Sequence, residues 1–220
     1  MRAYHFTNTT HAISDLAMKR LKVSRISQLN DPFEFLAADL LDPRHFRAFS
    51  DLKEQLDRST GLICFSGSWR NPLLWGHYAD KHSGVALGFD IQDDQVLKVN
   101  YTADRAPVKF DVNSGKVVDD RDVVDRLLRT KFADWRYEDE YRIFLNLDSE
   151  SMEGGHYFVD FSPELHLREV ILGMRCDLSM KRVRQLLGVD SDSVKVLKAG
   201  MAKRSFRLIE DRQFRGSKTS

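Results

Sequence analysis

The sequence predicts an α+β fold: a mixed, mostly antiparallel central sheet with flanking helices. Three observations carry the prediction. Segments in which apolar residues alternate, the strand period, outnumber segments with a helical stripe. The two kinds do not alternate strictly along the chain, as a doubly wound parallel sheet requires. Hydrophobic residues make up 42% of the 220, with 14 Phe, enough for a sizeable core. A single domain over 1–212 is expected, with 213–220 as a disordered tail.

Arg2 to Phe6 reads as a first strand, Tyr4 and Phe6 alternating with Ala3 and His5. The run Thr7 to Thr10 supplies helix N-caps, and Ile13, Leu16, Ala17 and Met18 form the stripe behind them. Leu21 to Ile26 alternates again as a second strand. Leu29 to Glu34 is a compact turn, because Pro32 fixes its own φ and pushes Asp31 out of the helical region. Asp42-Pro43 caps and starts a packing helix that runs to about Arg58.

Gly61 to Phe89 is the densest block. It reads as a buried strand, a serine-bearing turn, a Pro-initiated helix from Pro72 to His82 capped by Asn71, and a second strand. Val96 to Tyr101 is strand-like, 102–118 a loop or hairpin marked by Pro107 and Gly115, and Asp119 to Ala133 a mainly polar helix. Strands are expected at the end of Trp135 to Leu145, at His156 to Phe161, at Glu169 to Leu172, and near 194–198 and 205–210. An amphipathic helix is expected at about Ser179 to Leu187.

The 34 basic and 33 acidic side chains nearly cancel, so no global field draws the chain to nucleic acid or to an anionic membrane. A contact with nucleic acid requires a local patch. The amino terminus lacks the apolar run of a signal peptide, and no segment approaches the roughly 20 apolar residues of a membrane span. A cytoplasmic protein is expected. Cys64 and Cys176 fit neither a disulfide framework nor a CxxC metal site.

Candidate chemistry gathers in four places. Ser66 and Ser68 flank Gly67 at a strand end, where glycine allows a ligand close to the backbone. Trp75 and Tyr78 lie on the inner face of the helix that follows, and a buried Tyr78 hydroxyl needs a partner. Asn30, Asp31 and Glu34 are either a self-capped corner or pocket residues. Glu138 and Glu140, at strand spacing and flanked by Arg136 and Arg142, are either an ion-pair cluster or a reactive pair. His77 and His82 are five apart, which is wrong for two metal ligands on one helical face, and no metal site is expected. No nucleophile elbow, P-loop, dinucleotide fingerprint or HExxH occurs.

LNDPFE at 29–34, CFS at 64–66, LLWGHYADKHSGVALGF at 73–89, KFADWRYEDEYRI at 131–143 and LREVILG at 167–173 together resemble the bacterial family catalogued as domain of unknown function 2971. The resemblance reaches to about residue 210 and implies no established activity. A second resemblance concerns mechanism. The order His5, Ser66-x-Ser68, Glu138-x-Glu140 looks like the ADP-ribosyltransferase layout, which implies a split sheet. Carried over, His5, Ser66, Ser68 and Tyr78 would hold NAD. Glu140 would support an oxocarbenium-like transition state, and Glu138 would orient an unknown protein or nucleic-acid acceptor. The middle motif is Ser-Gly-Ser where that superfamily has Ser-Thr-Ser.

The leading expectation is therefore an NAD-using, ADP-ribosyltransferase-like enzyme of stress or phage defence. The alternative is a non-enzymatic module that binds a nucleotide or nucleic acid, with Arg70, Lys81 and Arg136 as anion contacts. A metal-dependent nuclease built on Asp31, Glu34 and Glu140 is a third reading.

Overall fold

The computed structural model describes residues 1–35, 42–105, 120–148 and 152–213. The elements in chain order are β1 (Arg2–Thr7), α1 (Thr9–Met18), β2 (Arg20–Arg25), α2 (Pro43–Ser59), β3 (Thr60–Ser66), α3 (Pro72–Tyr78), β4 (Val85–Ile91), β5 (Leu97–Lys98) and β6 (Asn100–Thr102). They continue with α4 (Asp120–Arg129), β7 (Thr130–Phe132), β8 (Glu140–Asn146), β9 (Met152–Glu153), β10 (His156–Asp160), β11 (Leu165–Leu172), α5 (Met180–Leu187), β12 (Lys195–Met201) and β13 (Leu208–Glu210). The sheet structure is mixed and mostly antiparallel, as the sequence predicts. Residues 214–220 of the expected tail, and most of the loop expected at 102–118, lie outside the described residues. Among the described residues no helix is long and apolar enough to cross a membrane.

The chain divides into two compact units: Met1–Lys22, Cys64–Gln95 and Val159–Ser220 form the first, Val23–Ile63 and Val96–Phe158 the second.

In the first unit the strand order is β13-β12-β11-β4-β1, with the end of β3 beside β1. β11 and β12 run parallel, and the chain between them carries α5, the crossover that a parallel pair needs. Alternation along β1 sorts its side chains onto two faces. Ala3, His5 and Thr7 pair with Phe89, Leu87 and Val85; Arg2, Tyr4 and Phe6 pair with Asp90, Gly88 and Ala86. Gly88 is needed under Tyr4, since a Cβ there would lie 2.9 Å from the Tyr4 Cε1.

The Tyr4 face carries an apolar cluster of Trp69, Trp75, Ala79, Ala86, Ile171, Leu197, Ala199 and Leu208. Trp75 is fully buried and meets Phe6 edge-on at 5.3 Å. Its indole N–H donates to the Trp69 carbonyl at 2.6 Å, so the one polar atom of the side chain is satisfied. On the His5 face, Phe89 meets Phe65 and Phe161 at 6.0 and 5.1 Å. Burying such side chains contributes about 1.5–3 kcal/mol each and fixes which way the strand faces.

α3 starts at Pro72 with Asn71 Oδ1 accepting from the Leu73 N–H, as expected, but it stops at Tyr78 instead of His82. Asp80, Lys81 and His82 all have positive φ, at 44°, 52° and 75°. Tertiary bonds hold this left-handed turn: the Gly84 N–H reaches the Ala79 carbonyl, Arg175 N–H the His82 carbonyl and Gly173 N–H the Gly84 carbonyl. The helical periodicity of the side chains gives way to that backbone clamp.

In the second unit β2 pairs with β3 through Ser24↔Leu62, and β5 with β8 through Leu97↔Arg142. α4 ends at Arg129, short of the expected Ala133, because Thr130–Phe132 pairs in parallel with Asn100–Thr102. A 3-10 helix over Ala133–Glu138 follows, and Asp139, at φ 43°, turns the chain into β8.

Candidate functional site

Two polar constellations stand out, one in each unit. In the second unit Glu34, Lys131, Glu138, Glu140 and Arg142 form one buried cluster. Arg142 is completely buried, and none of the three carboxylate side chains is more than 5% exposed. Its Nε donates to Glu140 Oε1 at 2.7 Å and its NH2 to both Glu34 oxygens at 2.8 and 2.9 Å. NH1 reaches the Leu128 carbonyl at 3.1 Å. Lys131 Nζ lies 2.6 Å from Glu138, 3.0 Å from Glu140 and 3.1 Å from Glu34.

The electrostatics follow from that geometry. Burial alone would push the Glu140 carboxyl up, but the Arg142 charge and hydrogen bond, with Lys131 behind them, bring it down to about 2. Burial disfavours the Lys131 ammonium, yet the attraction of Glu140, Glu34 and Glu138 outweighs it and the group is held protonated above its ordinary value. The Tyr101 hydroxyl accepts the Glu140 backbone N–H at 2.8 Å, and burial raises its pKa. Both oxygens of Glu140 are therefore committed to cations. Among the described residues no three His, Cys, Asp or Glu side chains are placed to hold a metal ion.

The first unit carries a different arrangement on the Tyr4 face. Tyr4 pairs with Ser66 across β1 and β3. Its hydroxyl donates to Glu169 Oε2 at 3.0 Å. Burial, then the Glu169 charge, push the phenol up to about 12, against the pull of Arg2 and Arg70. Arg2 bonds Asp90 at 2.7 Å and lies 3.3 Å from Glu169. β11 has an irregular register between Leu167 and Glu169, which sets Glu169 opposite Gly88 and within reach of Tyr4.

The Ser66–Arg70 turn borders the same face. Ser66 Oγ donates to the Ser68 carbonyl at 3.2 Å, and Ser68 Oγ accepts the Arg70 N–H at 3.2 Å. The Arg70 guanidinium sits 4.9 Å above the Trp69 ring and is exposed. No carboxylate pairs with it among the described residues; NH1 makes a long 3.4 Å contact with the Leu208 carbonyl.

The residues singled out in the sequence are distributed as follows. His5 is half-buried on the other face of the first unit's sheet from Ser66, its Nδ1 3.0 Å from the Cys64 carbonyl and its ring 5.9 Å from Phe65. Burial lowers its pKa. Trp75 is core. Tyr78 is half-buried at the end of α3, its ring 6.0 Å from His77. In the second unit Asn30 is exposed, Asp31 caps its own turn by accepting the Phe33 N–H at 2.9 Å, and Glu34 turns in to Arg142. Lys53 Nζ ties the corner down at the Glu34 carbonyl, 2.7 Å away.

Glu138 and Glu140 do meet, but through Lys131; Glu138 closes the 3-10 helix and is not on the strand. Of the residues expected as anion contacts, Arg70 and Lys81 belong to the first unit and Arg136, over the Tyr101 ring at 5.7 Å, to the second.

Residues 74–143 match the model of the family described as a protein of unknown function, DUF2971. That segment is a DUF2971 segment. No curated protein and no solved structure matches the chain. The DUF2971 segment contains Trp75, Tyr78 and the Asp80–His82 turn from the first unit. From the second unit it contains Lys131, Glu138, Glu140 and Arg142, four of the five members of the buried cluster. Glu34, the fifth, lies before it, as do His5, Ser66, Ser68 and Tyr4.

Lys131, Tyr4 and Glu169 are the functional candidates that sequence reasoning missed. Lys131 and Glu138 are seven positions apart but lie on a strand and a 3-10 helix, and no local pattern ties Tyr4 to Glu169, 165 positions away.

Proposed function

We propose that the protein binds a nucleotide, NAD among those it would take, on the Tyr4 face of the first unit at the Ser66–Arg70 turn. The observation that carries this reading is Arg70: an exposed guanidinium that no carboxylate pairs with among the described residues, beside a half-buried Tyr4–Glu169 pair whose phenol feels its charge. A planar guanidinium takes a phosphate bidentately. Ser68, whose Oγ accepts the Arg70 N–H, keeps its own O–H to donate to a phosphate oxygen. Glu169 and Tyr4 offer an acceptor and a hydroxyl to a ribose diol.

A cavity of about 400 Å³ on the first unit, lined by Leu16, Lys19, Phe161, His166, Leu187 and Asp190 among others, is the rival location. Its lysine is already paired with Asp190 at 2.6 Å, so a phosphate finds less free charge there.

The enzymatic form of the reading, ADP-ribosyl transfer from NAD, needs a carboxylate free to meet the ribose. Glu140 has both oxygens in ion pairs, so the geometry supports binding ahead of transfer. Calorimetric titration with AMP, ATP, UTP and NAD tests the proposal. Saturable binding of at least one is expected, with Arg70→Ala weakening it by roughly 10- to 100-fold, the range for a hydrogen bond to a charged group. Free nicotinamide assayed in the NAD samples separates binding from turnover. No saturable binding by any of the four overturns the reading.

A further inference from the structure

The β12–β13 hairpin next to this site presents residues whose exposure the fold does not explain. Its loop is closed by the Ala202 N–H donating to the Arg207 carbonyl at 3.0 Å. Phe206 is 97% exposed and Met201 72% exposed. Lys203, Arg204 and Arg207 are exposed, and no carboxylate pairs with any of them among the described residues. The nearest acid along the chain, Glu210, is taken by Lys195 at 3.0 Å. Residues 202–209 hold three cations and no anion in a chain whose formal net charge is +1. Among the described residues no carboxylate compensates this local charge, and a fully exposed ring stands within it.

The hairpin is joined to the Arg70 turn by backbone: the Leu208 N–H donates to the Arg70 carbonyl at 2.9 Å. The basic hairpin with its exposed ring therefore adjoins Arg70 in the first unit. A single-stranded nucleic acid has the complementary pattern, phosphates alternating with flat bases, and proteins hold it by stacking bases on exposed aromatics beside basic side chains. A lipid surface fits less well, because Arg204 and Ser205 before Phe206 and Arg207 after it would be drawn toward the acyl chains with the ring.

We infer that the β12–β13 hairpin binds single-stranded nucleic acid, with a base stacked on Phe206 and phosphates on Arg204, Arg207 and Arg70. This rests on the nucleotide reading of the Arg70 site and makes the bound nucleotide part of a strand.

The test is fluorescence anisotropy of the whole protein with labelled oligo-uridine and oligo-thymidine, beside calorimetry with the mononucleotides. Phe206→Ala, at a position too exposed to affect folding, should weaken oligonucleotide binding roughly 5- to 100-fold and leave mononucleotide affinity unchanged. Arg204→Ala/Arg207→Ala should lower the slope of log affinity against log salt by about 1.4, or about 0.7 per lost contact. Oligonucleotide binding equal to wild type in both variants overturns the inference and leaves the mononucleotide site standing. Oligonucleotide binding that depends on Phe206, with no mononucleotide binding, sinks the site reading and keeps the hairpin's. Vesicles of phosphatidylserine and phosphatidylcholine complete the comparison. Phe206-dependent binding to them, with none to either oligonucleotide, overturns the inference in favour of a membrane surface.

Discussion

Replacing Arg142 by Met removes the cation at the centre of the buried cluster while keeping much of its volume. Four hydrogen bonds to carboxylates go at once: two to Glu34 at 2.8 and 2.9 Å and two to Glu140 at 2.7 and 3.1 Å. The Leu128 carbonyl also loses its donor. Lys131 alone then faces three buried glutamates, and the formal charge of the cluster goes from −1 to −2. Breaking a buried pair in this one-sided way costs about 3–5 kcal/mol. For a chain of this size each kcal/mol moves Tm by about 2–4 °C, so a drop of roughly 6–20 °C is expected. The pH dependence identifies the cause. Glu140, with its folded pKa held below the ordinary 4.5 at about 2, contributes stability that is present above pH 4.5 and lost as pH falls toward 2. Arg142→Met lacks most of that contribution, so the two Tm curves should converge across that window. Arg142→Met/Glu140→Gln should cost less than the sum of the single changes. Calorimetric melts from pH 2 to 8 read all three. A Tm within about 2 °C of wild type at pH 7, or parallel curves into acid, would mean that Arg142 is not what stabilises the cluster.

Asp15, buried in α1, is pushed up to about 7 by burial, against the pull of Arg20. Its folded pKa exceeds the unfolded 3.8, so stability falls as pH rises between those values; Asp15→Asn should flatten that decline, by up to about 4 kcal/mol at pH 8, in chemical denaturation. Lys81→Gly should raise stability by roughly 0.5–1 kcal/mol, because an exposed residue at φ 52° gains from losing its Cβ; an unchanged or lower Tm would say that the side chain is needed. Trp75→Phe should destabilise by about 1–3 kcal/mol, since the buried Trp69 carbonyl loses its 2.6 Å donor; near-UV circular dichroism and urea melts would register it.

Local signals were legible wherever one residue decides the backbone. Asn71-Pro72 and Asp42-Pro43 start helices, and the alternation of Tyr4 and Phe6 with Ala3 and His5 sorts β1 onto two faces. What was not legible depended on partners distant in sequence. The aromatic periodicity of 72–82 continues past Tyr78, but Gly84 and Gly173 bring in backbone that turns Asp80 to His82 left-handed. Thr130 to Phe132 carry a helical stripe and become a strand because Asn100 to Thr102 lie alongside. The alternation that puts Tyr4 with Ser66 also sets His5 on the opposite face. That separation was present in the sequence once the Tyr4↔Ser66 register is known, and nothing local fixes that register. The spacing of Glu138 and Glu140 marks them as a charged pair, while nothing local marks the 3-10 helix that ends at Glu138 or the lysine that joins them.

The proposed nucleotide site is the Ser66–Arg70 turn. Photolabelling of the whole protein with an azido-adenine nucleotide, followed by peptide mapping, tests it most directly. Saturable labelling of the peptide containing Trp69 and Arg70 is expected, blocked by excess unlabelled nucleotide and lost in Arg70→Ala. Saturable labelling confined to other peptides, indifferent to Arg70, would contradict it.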